Sequence, residues 1–417
     1  MSSSTRDVVI VGGGVIGTSC AYYLSLAGWK VTVLERNPFG VGCSYGNCGV
    51  VTPSHVLPLT VPGAWRTALS SLIDPSSAFR VKPRLDVSLW GWLLQFARRC
   101  NRTDMMKAGH AIQALLNTSR QLYAELIEKE EMDCEWETNG LLFVFQTAAG
   151  LEHYAKTNQL LTDSFDMPAV QYDGKELEAF EPALKEGLAG AFHYELDAQL
   201  RPDRLLASWR EVLRKRGVEL VEECELQSIE QAGGQATVLK TSKGEMTAKN
   251  YVVATGALTP LLNAELGCKI PIQPGKGYSI TMSRPTVCPK YPILFEEHHV
   301  AVTPMQSGYR IGSMMEFAGY DEKVDSRRLE ALKRGAAVYL KDPFGEATEE
   351  EWFGWRPMTY DSVPIIDRCP KMSNVYIAAG HNMLGLSMAP ATGRAVAQVL
   401  SEEKPHVDLA PYSLARF

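Results

Sequence analysis

Apolar and polar positions along the chain follow two alternating rhythms. Val8-Val9-Ile10-Val11 is an unbroken apolar run and predicts a buried strand. Gly12 to Gly14 interrupt it, a helix is expected from about Val15 to Ala27 where Gly28 stops it, and Lys30 to Leu34 reads as a second strand. Together these make a right-handed βαβ unit with parallel strands. A second such region runs from Arg201 to Gly256. It holds a helix over Pro202 to Arg216, strands from Val218 and over Glu222 to Ile229, a hairpin through Gly233-Gly234, and a strand ending at Val252-Val253-Ala254. A third begins at Trp352, with a strand at Val375 to Ala378 and a helix from about Leu386 to Leu400. Alternating patterns at Tyr278 to Met282 and Tyr309 to Gly312 predict strands of another sheet. The expected architecture is α/β: a Rossmann-like nucleotide-binding domain assembled from 1–60, 196–256 and 346–417, plus an α+β substrate domain with an antiparallel sheet from 61–195 and 257–345.

Leu89, Trp92, Leu93, Phe96 and Ala97 recur at helical spacing, with Trp90 and Leu94 beside them and Arg98, Arg99 and Arg102 after them. This predicts an amphipathic helix. Its aromatic face either packs against the substrate domain or serves residues 89–99 as a contact with a membrane surface or a quinone.

Composition narrows the function. The 417 residues are 45% hydrophobic and 22% charged, with a net charge of −6, which excludes fibrous and disordered classes and has room for two domains. The 42 Lys and Arg form no basic stripe, so nucleic acid is not an expected partner. An acidic chain that binds anions needs local positive charge. Nine cysteines without a C-x-x-C pair or zinc spacing read as reduced, buried thiols of a cytoplasmic protein with no bound metal. Met1 to Thr5 is too short and polar for a signal peptide, and no apolar stretch reaches membrane-spanning length. The oligomeric state stays open.

Gly12-Gly13-Gly14-Val15-Ile16-Gly17 fits G-x-G-x-x-G between a strand and a helix. Gly12 permits the tight turn, Gly14 the approach of a pyrophosphate, and Gly17 the close packing of helix on strand. The helix N-terminus, with Val15 and Ile16, offers free N–H groups to the anion. Glu35 ends the second strand, where its carboxylate suits ribose hydroxyls, and Arg36 adjoins it. The motif alone does not separate FAD from NAD; its N-terminal placement and the later turn at Ala254-Thr255-Gly256 favour FAD. Leu226 is a candidate for backbone contact with adenine, or else an ordinary core strand residue.

These segments, with Ser44-Tyr45-Gly46-Asn47-Cys48-Gly49, Pro274-Gly275-Lys276-Gly277-Tyr278-Ser279, Trp355-Arg356-Pro357-Met358-Thr359 and Gly380-His381-Asn382-Met383-Leu384-Gly385, resemble the D-amino-acid dehydrogenase small-subunit branch of the D-amino-acid oxidase-like flavoproteins. The likeness runs in order along nearly the whole chain. It implies non-covalent FAD, a discontinuous FAD domain and oxidation of an amino acid at its Cα–N bond, with hydride passing from Cα to flavin N5. The product imine hydrolyses to a 2-oxo acid and ammonia, and electrons pass to a quinone or another acceptor. An oxidase of glycine, sarcosine, D-proline or hydroxyproline type, forming hydrogen peroxide, is the alternative. The chain departs from the family at His55, where members carry Tyr, and at Leu386, where they carry Trp.

Within that resemblance Arg356 is the expected clamp for the substrate carboxylate, since a guanidinium gives two parallel donors. Tyr278 is a candidate second donor, or a half-buried strand tyrosine. His381 and His55 are pocket candidates. Ser44, Asn47, Cys48 and Gly49 are expected beside the flavin ring, and Gly380, Met383, Gly385 and Leu386 at its N1–C2=O edge, where a helix N-terminus stabilises negative charge. Cys43 and Cys48 are read as packed thiols, not as a covalent flavin link. No general base is required if the substrate amine enters neutral.

Overall fold

A computed structural model describes residues 6–66 and 79–417; Met1–Thr5 lie outside the described residues. Asp7–Val11 is the centre of a six-stranded sheet. It lies parallel to Lys30–Leu34 on one side and to Asn250–Val253 on the other. Glu219–Val221 extends the sheet beyond Lys30–Leu34, Val375–Ala379 beyond Asn250–Val253, and Ile365–Arg368 closes that edge antiparallel. Strands buried on both faces need helices on both sides. Val15–Leu26 and Gly385–Leu400 pack together on one of them. The helix Pro202–Lys215, with Pro202 at its first turn, buries Leu205, Leu206, Trp209 and Leu213 beside them. The expected elements of this region stand within a residue or two of their predicted ends, except that the strand expected over 222–229 is Leu226–Ala232, hairpinned to Gln235–Thr241.

Nine strands form the second sheet among the described residues. It runs Thr348–Thr359, Ile272–Met282, Gly308–Phe317, Val300–Met305, Ile293–Phe295, Leu141–Phe145, Gly190–Tyr194 and Val170–Asp173, with Phe79–Val81 paired to Gly308–Phe317. Most pairs are antiparallel; Ile293–Phe295 with Leu141–Phe145, and Phe79–Val81 with its neighbour, are parallel. One expectation is corrected here. The boundary at 346 places Thr348–Thr359 with the nucleotide sheet, whereas this strand pairs along its length with Ile272–Met282. Its long ladder binds it to the second sheet, and only the turn after it returns to the first.

Helices absent from the pattern reading include Ser326–Tyr339, Arg102–Lys129 and Ala148–Phe165. Arg102–Lys129 is capped by Asn101, whose Oδ1 accepts from Asp104 N at 3.0 Å. It lies on Gly385–Leu400, with Tyr123 donating to the Leu386 carbonyl at 2.8 Å. Ala148–Phe165 begins at Thr147 and covers the sheet face bearing Phe143 and Phe145. The aromatic helix spans Val87–Arg99, and the structure divides its faces. Leu89, Trp92 and Phe96 are buried, Trp92 donating to the Met358 carbonyl at 3.1 Å. Val87, Trp90 and Leu94 are exposed at 90%, 42% and 55%. No helix among the described residues is long and apolar enough to cross a membrane.

Candidate active site

A cavity of about 2100 Å³ lies between the two sheets. Gly12, Gly14, Val15 and Ile16 line one end, with Glu35 and Arg36 at the tip of Lys30–Leu34. Gly12 has φ +110°, and a Cβ there would sit 2.5 Å from the Ala254 carbonyl oxygen. Gly14 caps the helix Val15–Leu26 without a side-chain hydrogen bond, so backbone N–H groups of its first turn face the cavity. Ser44 takes one of them, its Oγ accepting from Val15 N at 3.1 Å. Glu35 accepts from Gly13 N at 2.8 Å and Asn37 N at 3.0 Å, which fixes the carboxylate at the strand end. Leu226, Thr255 and Gly256 line the same end. Uncapped N–H groups and a pinned carboxylate, brought together by the Gly13–Glu35 hydrogen bond, fit the pyrophosphate and ribose of an adenine dinucleotide.

The loop carrying Asn47 and Cys48 is strapped down on the second sheet. Arg310, 1% exposed, donates to the carbonyls of Tyr45 and Asn47 at 3.1 and 2.7 Å. Thr303 Oγ1 donates to the Cys48 carbonyl and Ser279 Oγ to that of Gly46. Asn47 Oδ1 accepts from Gly49 N, so this side chain serves its own loop. Cys48 lines the cavity, as does Cys43, whose residue surface is open to solvent while its thiol sits among protein atoms. Burial raises both thiols, Cys43 to about 11, against the opposing pull of Arg356.

Arg356 stands on this loop-facing side of the sheet. It pairs with Gly275 and its guanidinium crosses Gly277, where a Cβ would meet its Cζ at 2.4 Å. It donates to the carbonyls of Met314 and Ser313. Those carbonyls are aimed by a register shift opposite Lys276 and Tyr278, with Ser313 at φ +136° and Met314 at φ +62°. No acidic side chain pairs with Arg356 among the described residues, and burial pulls its pKa down while the Cys43 and Cys48 thiols oppose. Carbonyl oxygens orient the guanidinium without neutralising it.

Tyr278 differs from its expected role. Alternation puts it on the opposite face from Gly277 and Arg356, with Ile280 and Met282, beneath the helix Ser326–Tyr339. Its hydroxyl donates to Glu316 at 2.9 Å, and Glu316 also meets Arg80 at 3.4 Å. Tyr278 lines the cavity, but its hydroxyl is engaged by Glu316, and desolvation with Glu316 raises its pKa.

His381, 2% exposed, is bonded through Nε2 to Thr392 Oγ1 at 3.0 Å, and burial pushes it down to about 3. His55 lies 5.3 Å from the Phe143 ring, its Nδ1 buried without a hydrogen-bond partner among the described residues, and burial pushes it down to about 4. Both imidazoles line the cavity and are neutral at pH 7, so neither carries the charge that an anion needs. Met383, Gly385 and Leu386 line it at the N-terminus of Gly385–Leu400, which has no side-chain cap. Asn382 fastens this turn to the Arg356 strand: its Oδ1 accepts from Thr359 N at 3.0 Å and its N–H donates to the Pro357 carbonyl at 3.1 Å.

Gly17, Gly49 and Gly380 do not line the cavity. Each permits a close backbone contact: a Cβ would fall 1.8 Å from Gly12 O, 2.1 Å from Leu200 O and 2.7 Å from Thr359 Cγ2, respectively. Sequence reading missed Arg310, Gly277 and the Ser313–Met314 carbonyls. A lone arginine inside the apolar alternation Tyr309 to Gly312, and Gly275-Lys276-Gly277 inside a strand, were the available signals.

The sequence matches the DAO family of FAD-dependent oxidoreductases over residues 7–399. It is 32% identical to a D-amino acid dehydrogenase of Methylobacterium nodulans over 98% of this chain and 99% of that one. It is 29% identical to that of Granulibacter bethesdensis, over 98% and 99%. Glycine oxidase from Geobacillus kaustophilus superposes with a TM-score of 0.78 at 23% identity, over 99% of this chain and 100% of that one, which shows a shared fold. A dinucleotide cleft with uncapped helix ends, and a family match spanning both sheets, place this chain in the DAO family of FAD-dependent oxidoreductases.

Proposed function

We propose that the chain is a D-amino acid dehydrogenase in which the substrate carboxylate is held by Arg356. The carrying observation is a guanidinium on the cavity floor that is oriented by two carbonyls and paired with no acid. The names of the relatives at about 30% identity supply the substrate class. In this reading the FAD-binding unit is the six-stranded sheet with its helices and the substrate unit is the nine-stranded sheet. FAD, held non-covalently, supplies a hydride acceptor at N5. Arg356 fixes the substrate carboxylate by two donors and thereby removes the rotations that would turn Cα–H away. The uncapped N–H groups of Gly385 and Leu386 would stabilise negative charge on a flavin bound against this helix end. His55 and His381, both neutral, shape the pocket without holding charge. The imine leaves to hydrolyse in water, and electrons go to a quinone or another acceptor.

Anaerobic mixing with a panel of D- and L-amino acids tests this. Flavin absorbance near 450 nm should bleach with D-amino acids and not with their enantiomers. Bleaching by L-amino acids alone would overturn the assignment, and stoichiometric peroxide in air would favour the oxidase reading.

The exposed face of Val87–Arg99 suits a membrane-dissolved acceptor. Val87, Trp90 and Leu94 form an apolar strip, with Leu85 preceding it and Arg98 exposed at the basic end. Flotation with anionic vesicles should carry the native protein upward and leave a Trp90→Ser, Leu94→Ser variant behind. Equal flotation of the two would remove this strip from any membrane contact.

A further inference from the structure

The cavity extends beyond the dinucleotide cleft, beneath the helix Ala148–Phe165. Phe143, Phe145 and Leu294 form its floor there, and His153, Tyr154 and Lys156 its roof. Glu296, which follows the strand Ile293–Phe295, also lines this arm. Its neighbour Glu297 is fully engaged, accepting from Gln146 N, Thr147 N, Thr147 Oγ1 and Tyr339 Oη. The Glu296 side chain is half-buried, yet among the described residues its carboxylate has neither a hydrogen bond nor an ion pair. Enclosure and the adjacent Glu297 push its carboxyl up to about 7. Lys156 and His153 face the same arm from the helix without pairing to it, and His299 lines it from the following turn. A carboxylate held without a partner is costly unless a cationic ligand joins it.

Register gives the separation from Arg356. The guanidinium bonds the Ser313 carbonyl, Ser313 pairs with Val300, and Val300 pairs with Phe295 beside Glu296. Two strand spacings are roughly 10 Å, of the order of an extended basic amino acid from its carboxylate to its terminal nitrogen. The intervening floor is Ala301 and Leu294, apolar and suited to methylene groups.

We propose that Glu296 receives the cationic end of the substrate side chain, so that the preferred substrates are D-amino acids bearing an amine or a guanidinium at the end of a three- or four-carbon chain. This rests on the reading of Arg356 as the carboxylate clamp. The aromatic walls exclude water from the ion pair and raise its worth.

D-lysine and D-norleucine differ at the terminal ammonium and little else, which makes their kcat/KM ratio the readout. The native enzyme should favour D-lysine by about a hundredfold, the effect of a desolvated charge pair. Glu296→Gln should bring the ratio close to one, and Glu296→Asp should restore part of the preference. A ratio unaltered by Glu296→Gln, with D-norleucine oxidised by both proteins, overturns the Glu296 assignment and leaves the D-amino acid reading standing. If Glu296→Gln fails to fold, the native enzyme decides alone: a preference for D-norleucine overturns the proposal. Failure of every D-amino acid to bleach the flavin overturns the underlying reading and the proposal with it.

Discussion

Arg356→Ala should lower kcat/KM for a D-amino acid by about a thousandfold, the upper part of what removing one partner of a desolvated charge pair costs, while the protein stays yellow. The reason lies in what surrounds the guanidinium. Its neighbours are carbonyl oxygens and two thiols raised by burial, so among the described residues no protein group carries the opposing negative charge. His55 and His381 are held neutral by burial and cannot substitute for it. Arg356→Lys should recover some binding but little orientation, because an ammonium lacks the planar fork and cannot reach both carbonyls and both carboxylate oxygens together. Its loss should therefore show in kcat as well as KM. Flavin spectra and melting temperature separate this from misfolding. Native kinetics in Arg356→Ala would take the residue out of the site. Gly277→Ala offers an independent check: its Cβ would lie within 2.5 Å of the guanidinium carbon and both terminal nitrogens, so it should displace the clamp without touching the dinucleotide end.

How much of this was legible beforehand depended on how local the signal was. The strand Asp7–Val11, its glycine turn and the helix after it follow from propensity and spacing within about twenty residues, and the structure keeps them nearly unshifted. The second sheet depends on pairing between distant segments. Alternation placed Tyr278 on one face of a strand, but which face looked at the cavity was set by the neighbours, Thr348–Thr359 on one side and the irregular Gly308–Phe317 on the other. The phenol is committed to Glu316, although Tyr278 is among the residues that line the cavity. The same dependence hid Gly277, whose purpose appears once Arg356 lies across it. Arg310 was hidden because its partners are carbonyls of a loop more than 260 residues away. Helix Val87–Arg99 was read correctly as amphipathic, yet periodicity alone did not reveal that two of its faces are apolar and that only one is covered.

Two glycines of the same motif should fail in different ways. Gly14→Val should leave a folded protein whose FAD affinity falls by about a hundredfold, the cost of forcing branched bulk into a packed contact. At Gly14 the backbone is ordinary, and a Cβ would find Ser44 Oγ at 3.6 Å and nothing nearer. The protein itself has room for a side chain. What a side chain would obstruct is the approach of a pyrophosphate to the N–H groups of the first helical turn. Gly12→Val should instead unfold or strongly destabilise the chain, by about 3 kcal/mol or more, because a positive φ and a backbone clash act together. Its φ is +110°, and the added Cβ would press on the carbonyl of Ala254, whose N–H donates to the Val11 carbonyl and ties this turn to the first strand. Gly28→Ala is the control for backbone strain alone, since its φ is +79° with open space around it; about 1 kcal/mol is expected there. Melting temperature of the apoprotein and flavin bound per chain are the two measurements. If Gly14→Val binds FAD at native affinity, the helix Val15–Leu26 does not hold the pyrophosphate. If its apoprotein melts as low as that of Gly12→Val, the motif serves packing and the division of labour between the two glycines is lost.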